Sequence, residues 1–509
     1  GTMGFRGYVV SDSDAVEYLY SKHKTAKDMK EAVRQSVEAG LNVRCTFRSP
    51  ESYVLPLREL IQEGGLSMET IDNRVRDILR VKFLTGLFDT PYQTDLALAD
   101  KEVNSEAHQQ VALQASREGL VLLKNANNLL PLDKSQIKRI AVCGPNADEA
   151  SFALTHYGPV AVEVTTVLEG IKQQVKEGTK VTYTKGCDLV DANWPESEII
   201  SYPLTAEEKT EIQKAVDNVK ESDVAVVVLG GGIRTCGENK SRTSLDLPGH
   251  QQQLLEAIVA TGKPVVLVLI NGRPLSINWA DKFVPAILEA WYPGSQGGTA
   301  IAEALFGDHN PGGKLTVTFP KTVGQIPFNF PAKPASQVDG GQTPGMKGNQ
   351  SRINGPLYPF GYGLSYTTFE YSNLQLSSPV ITDKEPVTVT CKIKNTGTRS
   401  GDEVVQLYTR DVISSVTTYE KNLRGFERVH LEPGETKEIS FQLLPRDFQL
   451  LNKDNHWVVE PGMFQVMIGA SSEDIRLKKG LEIRAYGQAS ANEIIESDPR
   501  DFISASKNK

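Results

Sequence analysis

Hydrophobic residues change their spacing along the chain, and the first ninety residues alternate between strand-like and helix-like patterns. A short apolar run at 8–10 is followed by helical spacing in 25–39 and by a second short strand at 42–47. Two more helices are predicted, one ending near Gly64 and one beginning after Ser67 as its N-cap. Alternating strands and helices indicate a parallel sheet, although two strands alone leave open edges that need partners.

The same alternation continues on a larger scale between residues 106 and 330. Helical spacing at 206–222, 249–261 and 296–306 separates several short apolar strands. The strands are predicted at 140–143, 181–184, 223–229, 265–270 and 286–291. This number of elements is sufficient for an independent α/β domain.

Beyond residue 370 the period of the pattern changes to two. Val387, Val389, Cys391 and Ile393 alternate with polar residues, and further alternating strands follow Pro-Gly turns. Several short strands of this kind predict a β-sandwich. The chain is therefore predicted to be multidomain, α/β followed by all-β. The predicted boundaries are a partial α/β unit at 1–90, a linker at 91–105, an α/β domain at 106–330, a linker and long loop at 331–370, a β-sandwich at 371–487 and a polar tail at 488–509.

Composition and charge exclude several classes of protein. The chain has 509 residues, is 39% hydrophobic and carries a formal net charge of −8 without a long basic run, so no nucleic-acid partner is expected. Its longest apolar runs are far shorter than the roughly 20 residues that cross a bilayer, so no membrane partner is expected. The seven histidines are isolated and lack a metal-binding motif, and no cofactor is predicted.

The five cysteines are too few and too scattered for a disulfide framework. A bridge between Cys187 and Cys236 is conceivable in an exported protein. Separate buried thiols are the favoured interpretation.

Two acidic segments carry the candidate chemistry. Asp12 comes directly after the first strand, where a parallel barrel places catalytic residues, although a helix N-cap is the commoner role of an aspartate there. Glu238 lies in a charged loop, 236–242, that follows a buried strand and a run of glycines. A solvated surface loop is the alternative, and the glycine run lacks the spacing of a phosphate-binding motif.

Collinear segments covering most of 4–470 resemble glycoside hydrolase family 3. The segment 4–12, Gly-Phe-Arg-Gly-Tyr-Val-Val-Ser-Asp, is similar to the nucleophile segment of that family. Glu238 and Arg242 reproduce the family's Glu-x-x-x-Arg-x-x-Leu-x-Leu-Pro spacing, with Asn239 and Ser241 in place of the commoner Gly and Asp. Further similar segments lie at 247–251, 292–298, 310–315, 358–366, 401–408 and 423–428.

The resemblance implies a fold and a set of roles. Members of this type carry a (β/α)8 barrel, an α/β sandwich and a fibronectin-III-like β-sandwich, so residues 1–90 would supply only the last two β/α units of the barrel. Asp12 would be the nucleophile and Glu238 the general acid/base, with Ser13 and Arg242 binding substrate. The remainder of the barrel is expected from another polypeptide or a missing segment, and the chain alone is expected to hydrolyse nothing.

The implied activity is that of a retaining, exo-acting β-glycosidase that releases glucose from the non-reducing end of oligosaccharides or β-glycosides. A β-xylosidase, possibly with α-L-arabinofuranosidase activity, is the alternative, because Ser13 stands where many β-glucosidases have Trp. A non-catalytic carbohydrate-binding or scaffold fragment is a third possibility. The resemblance also implies a periplasmic or secreted location, and a homodimer is possible. Asn239 and Asn349 begin formal glycosylation sequons.

Overall fold

The chain forms two compact units, Gly1–Val103 and Asn104–Lys509. The structure, a computed structural model, describes residues 4–91, 95–151, 162–326, 328–334 and 355–487. The predicted tail at 488–509, the central part of the predicted loop at 331–370 and the sequon at Asn349 lie outside these residues. The domain boundaries given above stay a prediction.

The first unit is mainly helical. Its core consists of two small groups of apolar side chains, one around Val33 and Leu60 and the other around Val16 and Ala32. As predicted, Ser67 caps a helix, since its Oγ accepts a hydrogen bond of 3.1 Å from the Thr70 amide. The helices are α1 Ala15–Ser21, α2 Met29–Ala39, α3 Glu51–Gln62, α4 Met68–Leu84 and α5 Leu96–Glu102.

The two strands predicted in the first unit are reduced to a single parallel bridge between Val10 and Val43. The Val43 amide donates to the Val9 carbonyl at 3.1 Å, and the Ser11 amide donates to the Val43 carbonyl at 2.9 Å. Val9 and Val10 are 46% and 49% exposed. Within the residues that the structure describes, each of these two segments forms its bridge with the other alone, which explains why the ladder is shorter than the sequence pattern predicted.

The α/β part of the second unit is built on a six-stranded sheet of order β1-β6-β5-β4-β2-β3, parallel except for β1. Every residue of β4, β5 and β6 is buried, so the continuous apolar runs of the sequence correspond to central strands. The strands are β1 Val121–Asn125, β2 Arg139–Cys143, β3 Lys180–Thr184, β4 Val224–Gly230, β5 Val265–Ile270 and β6 Ala286–Glu289. The helices are α6 Glu106–Gly119, α7 Val167–Gln174, α8 Ala206–Lys220, α9 Gln251–Val259, α10 Asn278–Phe283 and α11 Gly297–Phe306.

The predicted strands and helices of this domain are found with small changes in length. Strand β6 ends at Glu289, two residues before the predicted end, because Trp291 has a left-handed backbone with φ of 55°. Strand β1 and helices α6, α7 and α10 were not predicted. Among the helices that the structure describes, none combines the length and hydropathy needed to cross a bilayer.

The remaining strands form the predicted β-sandwich. One sheet has the order β11-β10-β15-β16-β8 and the other β12-β9-β7, with a separate β13-β14 pair. Val387, Val389, Cys391 and Ile393 of β9 all face the core, which confirms the period-two prediction. The strands are β7 Phe369–Leu376, β8 Val380–Thr382, β9 Val387–Asn395, β10 Gly401–Asp411, β11 Asn422–Leu431, β12 Thr436–Leu443, β13 Leu450–Leu451, β14 Trp457–Val458, β15 Gly462–Gly469 and β16 Ile475–Arg484.

Candidate functional site

Asp12 lies exposed at the end of the first short strand. The Ser13 amide donates to its Oδ1 at 2.7 Å, and the Ala15 amide donates to its backbone carbonyl at 3.2 Å. The N-cap of α1 is Asp14, not Asp12, so the helix-capping alternative for Asp12 is wrong. Its carboxylate is thus presented to solvent with one oxygen held by a backbone amide.

The residues on either side of Asp12 are tied to the second short strand. The Cys45 amide donates to Ser11 Oγ at 2.9 Å, and the Asp14 amide donates to the Cys45 carbonyl at 3.1 Å. The hydroxyl of Ser13 lies 3.7 Å from Cys45 Sγ. These bonds fix the turn that carries Asp12 to the strand end beside it.

A buried ion pair, Glu17 with Arg44, lies next to this turn. Arg44 Nε donates to Glu17 Oε1 at 3.0 Å and Arg44 Nη2 donates to the same oxygen, with side-chain exposures of 4% and 2%. Thr46 Oγ1 joins the pair to the turn, since it contacts Glu17 Oε1 at 3.2 Å and Asp14 Oδ1 at 2.6 Å. The second oxygen of Glu17 is buried and has no hydrogen-bond partner among the described residues.

Glu238 is exposed on the loop that follows β4. The loop begins with two tight backbone bonds, in which the amides of Thr235 and Cys236 donate to the Gly232 carbonyl at 2.9 and 3.0 Å. The Lys240 amide then donates to the Gly237 carbonyl at 3.1 Å and closes a turn around Glu238. Because β4 is a central parallel strand, this loop lies at the carboxyl edge of the sheet, where α/β folds place ligand-binding groups.

Arg242, four residues after Glu238, points into the protein. Its Nε donates to Glu198 Oε1, its Nη2 donates to the Asp246 carbonyl at 2.9 Å, and its guanidinium lies 5.2 Å from the centre of the Trp194 ring. The side chains of Arg242 and Glu198 are 4% and 5% exposed. The role of substrate contact stays a prediction for Arg242.

A buried polar group lies at the same edge of the sheet, at the end of β6. Glu289 is fully buried, and burial raises the pKa of its carboxyl well above the usual range. Its Oε1 accepts from the Trp291 amide at 2.9 Å, and its Oε2 lies 3.3 Å from Asn271 Nδ2. Through these two contacts Glu289 holds the loop after β6 against the end of β5.

The structure places neither a disulfide nor a metal cluster in the parts it describes. All five cysteines are free thiols there, Cys187 and Cys236 included. Within the same residues, no three His, Cys, Asp or Glu side chains are grouped so as to hold a metal ion.

Comparison with known proteins identifies the family. Residues 1–81 match the model of the glycosyl hydrolase family 3 N-terminal domain and residues 120–366 match that of its C-terminal domain. The chain belongs to glycoside hydrolase family 3. Residues 403–472 match a fibronectin type III-like domain, so the α/β domain and the β-sandwich are those of this family.

The similar proteins include β-xylosidases and β-glucosidases. The chain is 40% identical over 94% of its length to a β-xylosidase of Formosa agariphila and 39% identical over 94% to a periplasmic β-glucosidase of Salmonella typhimurium. It covers 64% and 63% of those proteins. A solved β-glucosidase of Erythrobacter marinus has a TM-score of 0.84 at 37% identity, with 94% of this chain and 64% of that chain covered.

Sequence reasoning missed the residues that hold the two candidate segments. Glu17, Arg44 and Glu198 occur in no motif quoted above, and the members of each pair are far apart in sequence. Glu289, which holds the neighbouring loop after β6, occurs in no quoted motif either. The only available signal was weak, since Glu289 ends an otherwise apolar strand and a charged residue there needs a reason. The pairing of Glu198 with Arg242 is a tertiary contact across 44 residues, which no local pattern reveals.

Proposed function

We propose that this chain carries the catalytic carboxylates of a retaining, exo-acting β-glycosidase that releases β-linked glucose from non-reducing ends. Asp12 is the proposed nucleophile and Glu238 the proposed general acid/base. The observation that carries the proposal is that each carboxylate is exposed on a turn or loop that directly follows a strand, in a segment matched by the family models.

The chemistry proceeds in two steps. The Asp12 carboxylate attacks the anomeric carbon as the glycosidic C–O bond breaks, and Glu238 transfers its proton to the departing oxygen. Glu238, now a carboxylate, then removes a proton from water, whose oxygen displaces Asp12 from the sugar. Both protons and both electron pairs are accounted for without a cofactor.

A local contact supports the role proposed for Asp12. The Ser13 amide donates to Asp12 Oδ1 and so fixes the orientation of the carboxylate that is proposed to attack. In the same proposal Ser13 also contacts the substrate, through its side chain. Ser13 is smaller than the Trp that many β-glucosidases of the family have at this position.

Glucosides are the proposed substrates, with xylosides as the second candidate. The solved structures reported as similar include β-glucosidases, whereas the curated relatives include both activities. Initial rates on nitrophenyl β-glucoside and nitrophenyl β-xyloside decide between them. A higher kcat/KM for the xyloside would reverse the assignment.

The proposal extends to the setting of the chain. The exposed apolar side chains of the first unit, Val9, Val10 and Phe83 among them, suit packing against further β/α units from another segment or polypeptide. A periplasmic or secreted location is proposed on the name of the Salmonella typhimurium relative.

The test uses two forms of the protein. One is the 509-residue chain, and the other is the same chain preceded by the part of the Salmonella typhimurium relative that it does not cover. An activated 2-deoxy-2-fluoroglucoside should label Asp12 in the second form, as shown by mass spectrometry of its peptide. A label on another residue would contradict the assignment of the nucleophile, and rapid turnover by the first form would contradict the need for further β/α units.

The acid/base is tested by Glu238→Ala in the active form. The variant should lose about 10²–10⁴-fold in rate on alkyl glucosides and far less on dinitrophenyl glucoside, whose leaving group needs no proton. Azide should restore turnover and give the β-glycosyl azide. Glu211→Gln, on an exposed face of α8, is the matched control and should behave as the parent. Equal rates for parent and Glu238→Ala on alkyl glucosides would end the assignment.

A further inference from the structure

The loop that carries Glu238 is exposed and sharply turned. Gly237 and Asn239, on either side of Glu238, have positive φ values of 134° and 61°. Residues 237–241 are all exposed. The conformation of an exposed segment of this kind, which the Lys240 amide closes into a turn, depends on how its two ends are fixed.

The first end of the loop is fixed by the sheet. Cys236 is bonded through its amide to Gly232, and Gly232 lies two residues beyond the buried end of β4. The second end has no comparable strand or helix behind it. It is held by the buried side chain of Arg242 and, in a solvent-accessible bond of 3.2 Å, by Arg273 Nη2 on the Lys240 carbonyl.

Glu198 uses both of its carboxylate oxygens on this second end. Oε1 accepts from Arg242 Nε, while Oε2 accepts from the Thr243 amide at 2.8 Å and from Thr243 Oγ1 at 3.0 Å. The pair is almost completely removed from solvent, with side-chain exposures of 4% and 5%. A buried carboxylate with this many donors has a single well-defined position, because each lost bond leaves a desolvated charge without a partner.

Glu198 is itself held to the core of the α/β domain. It lies in a short helical turn, Glu196–Glu198, within an arm that runs from residue 189 to 202. Gln251 Nε2 donates to the Leu189 carbonyl at 2.8 Å, and the His250 ring contacts the Tyr202 carbonyl at 3.3 Å. Both ends of the arm are therefore bonded to the beginning of α9. The arm in turn fixes the position of Glu198, and Glu198 fixes that of Arg242.

We infer that Glu198 and Arg242 are positioning residues that hold the Glu238 loop in the geometry in which Glu238 can protonate a leaving group. This inference rests on the proposed function for its chemical part. Its structural part does not, because the two fixed ends of the loop, at Cys236 and at Arg242, and the exposed segment between them all belong to the second unit. It also gives Arg242 a role that needs no contact with substrate.

Four variants test the inference. Glu198→Gln removes the negative charge of the pair and keeps the size of the side chain. Arg242→Gln removes the positive charge that pairs with Glu198. The double variant removes both charges, so no unpaired buried charge remains. Glu196→Gln is the matched control, since Glu196 is exposed in the same helical turn and contacts Tyr202 at 3.0 Å.

Hydrogen–deuterium exchange of the 509-residue chain gives the first measurement and requires no activity. Peptides covering 236–243 should exchange about tenfold or more faster in Glu198→Gln and Arg242→Gln, while peptides from β4 and β5 stay protected. The double variant should exchange more slowly than either single variant, and Glu196→Gln should match the parent within about twofold. Unchanged exchange of the loop in both single variants would overturn the inference.

Leaving-group dependence, in the active form of the protein, gives the second measurement. Glu198→Gln should lower kcat/KM about 30-fold or more on alkyl glucosides and less than about threefold on dinitrophenyl glucoside, because only the former need the proton of Glu238. A merely structural role would lower both rates equally, and that result would overturn the inference. If no form of the parent hydrolyses either substrate, the proposed function fails while the exchange result still decides the anchor.

Discussion

The segments that carry the two candidate catalytic carboxylates are each held by a buried Glu–Arg ion pair. The two pairs differ in the secondary-structure elements that they connect. In the first unit, Glu17 belongs to helix α1 and Arg44 to the second short strand, so the pair joins two elements of the unit's small core. In the second unit, Glu198 and Arg242 join a loop to an arm, and both lie outside the six-stranded sheet.

The difference concerns what depends on each pair. A pair inside a small core supports the whole unit, because few apolar contacts remain to compensate its loss. A pair between two loops on a large sheet supports only those loops. The same ionic interaction is therefore expected to act globally in the first unit and locally in the second.

The largest expected effect is the loss of the pair in the first unit. Glu17→Ala leaves Arg44 as an unpaired buried charge and should lower the free energy of unfolding of that unit by about 3–5 kcal/mol. Exchange of the amides in α2 measures this free energy directly. Tryptophan fluorescence provides an independent view of the second unit, since all four tryptophans lie beyond residue 103.

Glu31→Ala is the control for this variant. Glu31 pairs with Arg34 at 2.6 Å on the exposed face of α2, and pairs of this kind contribute little. If Glu17→Ala and Glu31→Ala exchange alike, the buried pair is not what supports the first unit.

The strands that lead into the two carboxylates look alike in sequence and differ in the structure. Val228 of β4 is fully buried, whereas Val10 is half exposed. Val228→Ala should cost about 2 kcal/mol because it removes two methyl groups and leaves a cavity, while Val10→Ala should cost under about 0.5 kcal/mol. Urea unfolding followed by tryptophan fluorescence measures the first, and exchange of α2 measures the second. A comparable cost for both would mean that Val10 is covered in solution.

This contrast also shows how far the sequence could predict the fold. The runs that became β4 and β5 and the alternation in β9 were assigned correctly, because burial on two faces or on one face produces a distinct pattern. The run at Tyr8-Val9-Val10 has the same β-rich composition, yet the structure reduces it to one bridge at Val10. Composition indicates what a segment can form, whereas the length of a ladder depends on neighbouring strands that the pattern does not contain.

The candidate site divides in the same way. Asp12 and Glu238 could be chosen from the sequence because each occupies, within a motif that resembles the family, the position of a catalytic carboxylate. The residues that hold them could not be chosen, since Glu198 meets Arg242 only after the arm and the loop have folded together. Sequence therefore led to the proposed reacting groups, and the structure was needed for their supports.

The two units also contain carboxyl groups that respond to pH in opposite senses. Burial raises the pKa of Glu289 in the second unit. At Asp77 in the first unit, hydrogen bonds from Asn42 and Arg80 outweigh the opposing effect of burial and lower the pKa. Above its ordinary pKa of 4.5, Glu289 loses its proton in the unfolded chain but keeps it in the folded chain, so its contribution to stability falls as pH rises.

Glu289→Gln should remove this dependence. Relative to the parent, the variant should gain unfolding free energy as the pH rises from about 4 to about 7, measured by urea unfolding with tryptophan fluorescence. Asp77→Asn should show the reverse trend in the first unit, which has no tryptophan and is followed by amide exchange in α2. The contribution of Asp77 is present above pH 3.8 and is lost as pH falls through its lowered pKa, so the variant and the parent should converge in stability there. The same pH trend in both variants would show that the burial of Glu289 has been misjudged.

The smallest expected effect comes from a second, more exposed contact on the Glu238 loop. Arg273 Nη2 donates to the Lys240 carbonyl at 3.2 Å, in a bond that solvent can reach. Because water replaces such a donor at little cost, Arg273→Ala should change the unfolding free energy by less than about 0.5 kcal/mol. The ratio of rates on alkyl and dinitrophenyl glucosides should move by less than about twofold. If Arg273→Ala changed this rate ratio as much as Glu198→Gln does, the loop would depend on the bond at Lys240 rather than on the buried pair. The buried pair of the second unit would then not have the local role that the comparison with the first unit assigns to it.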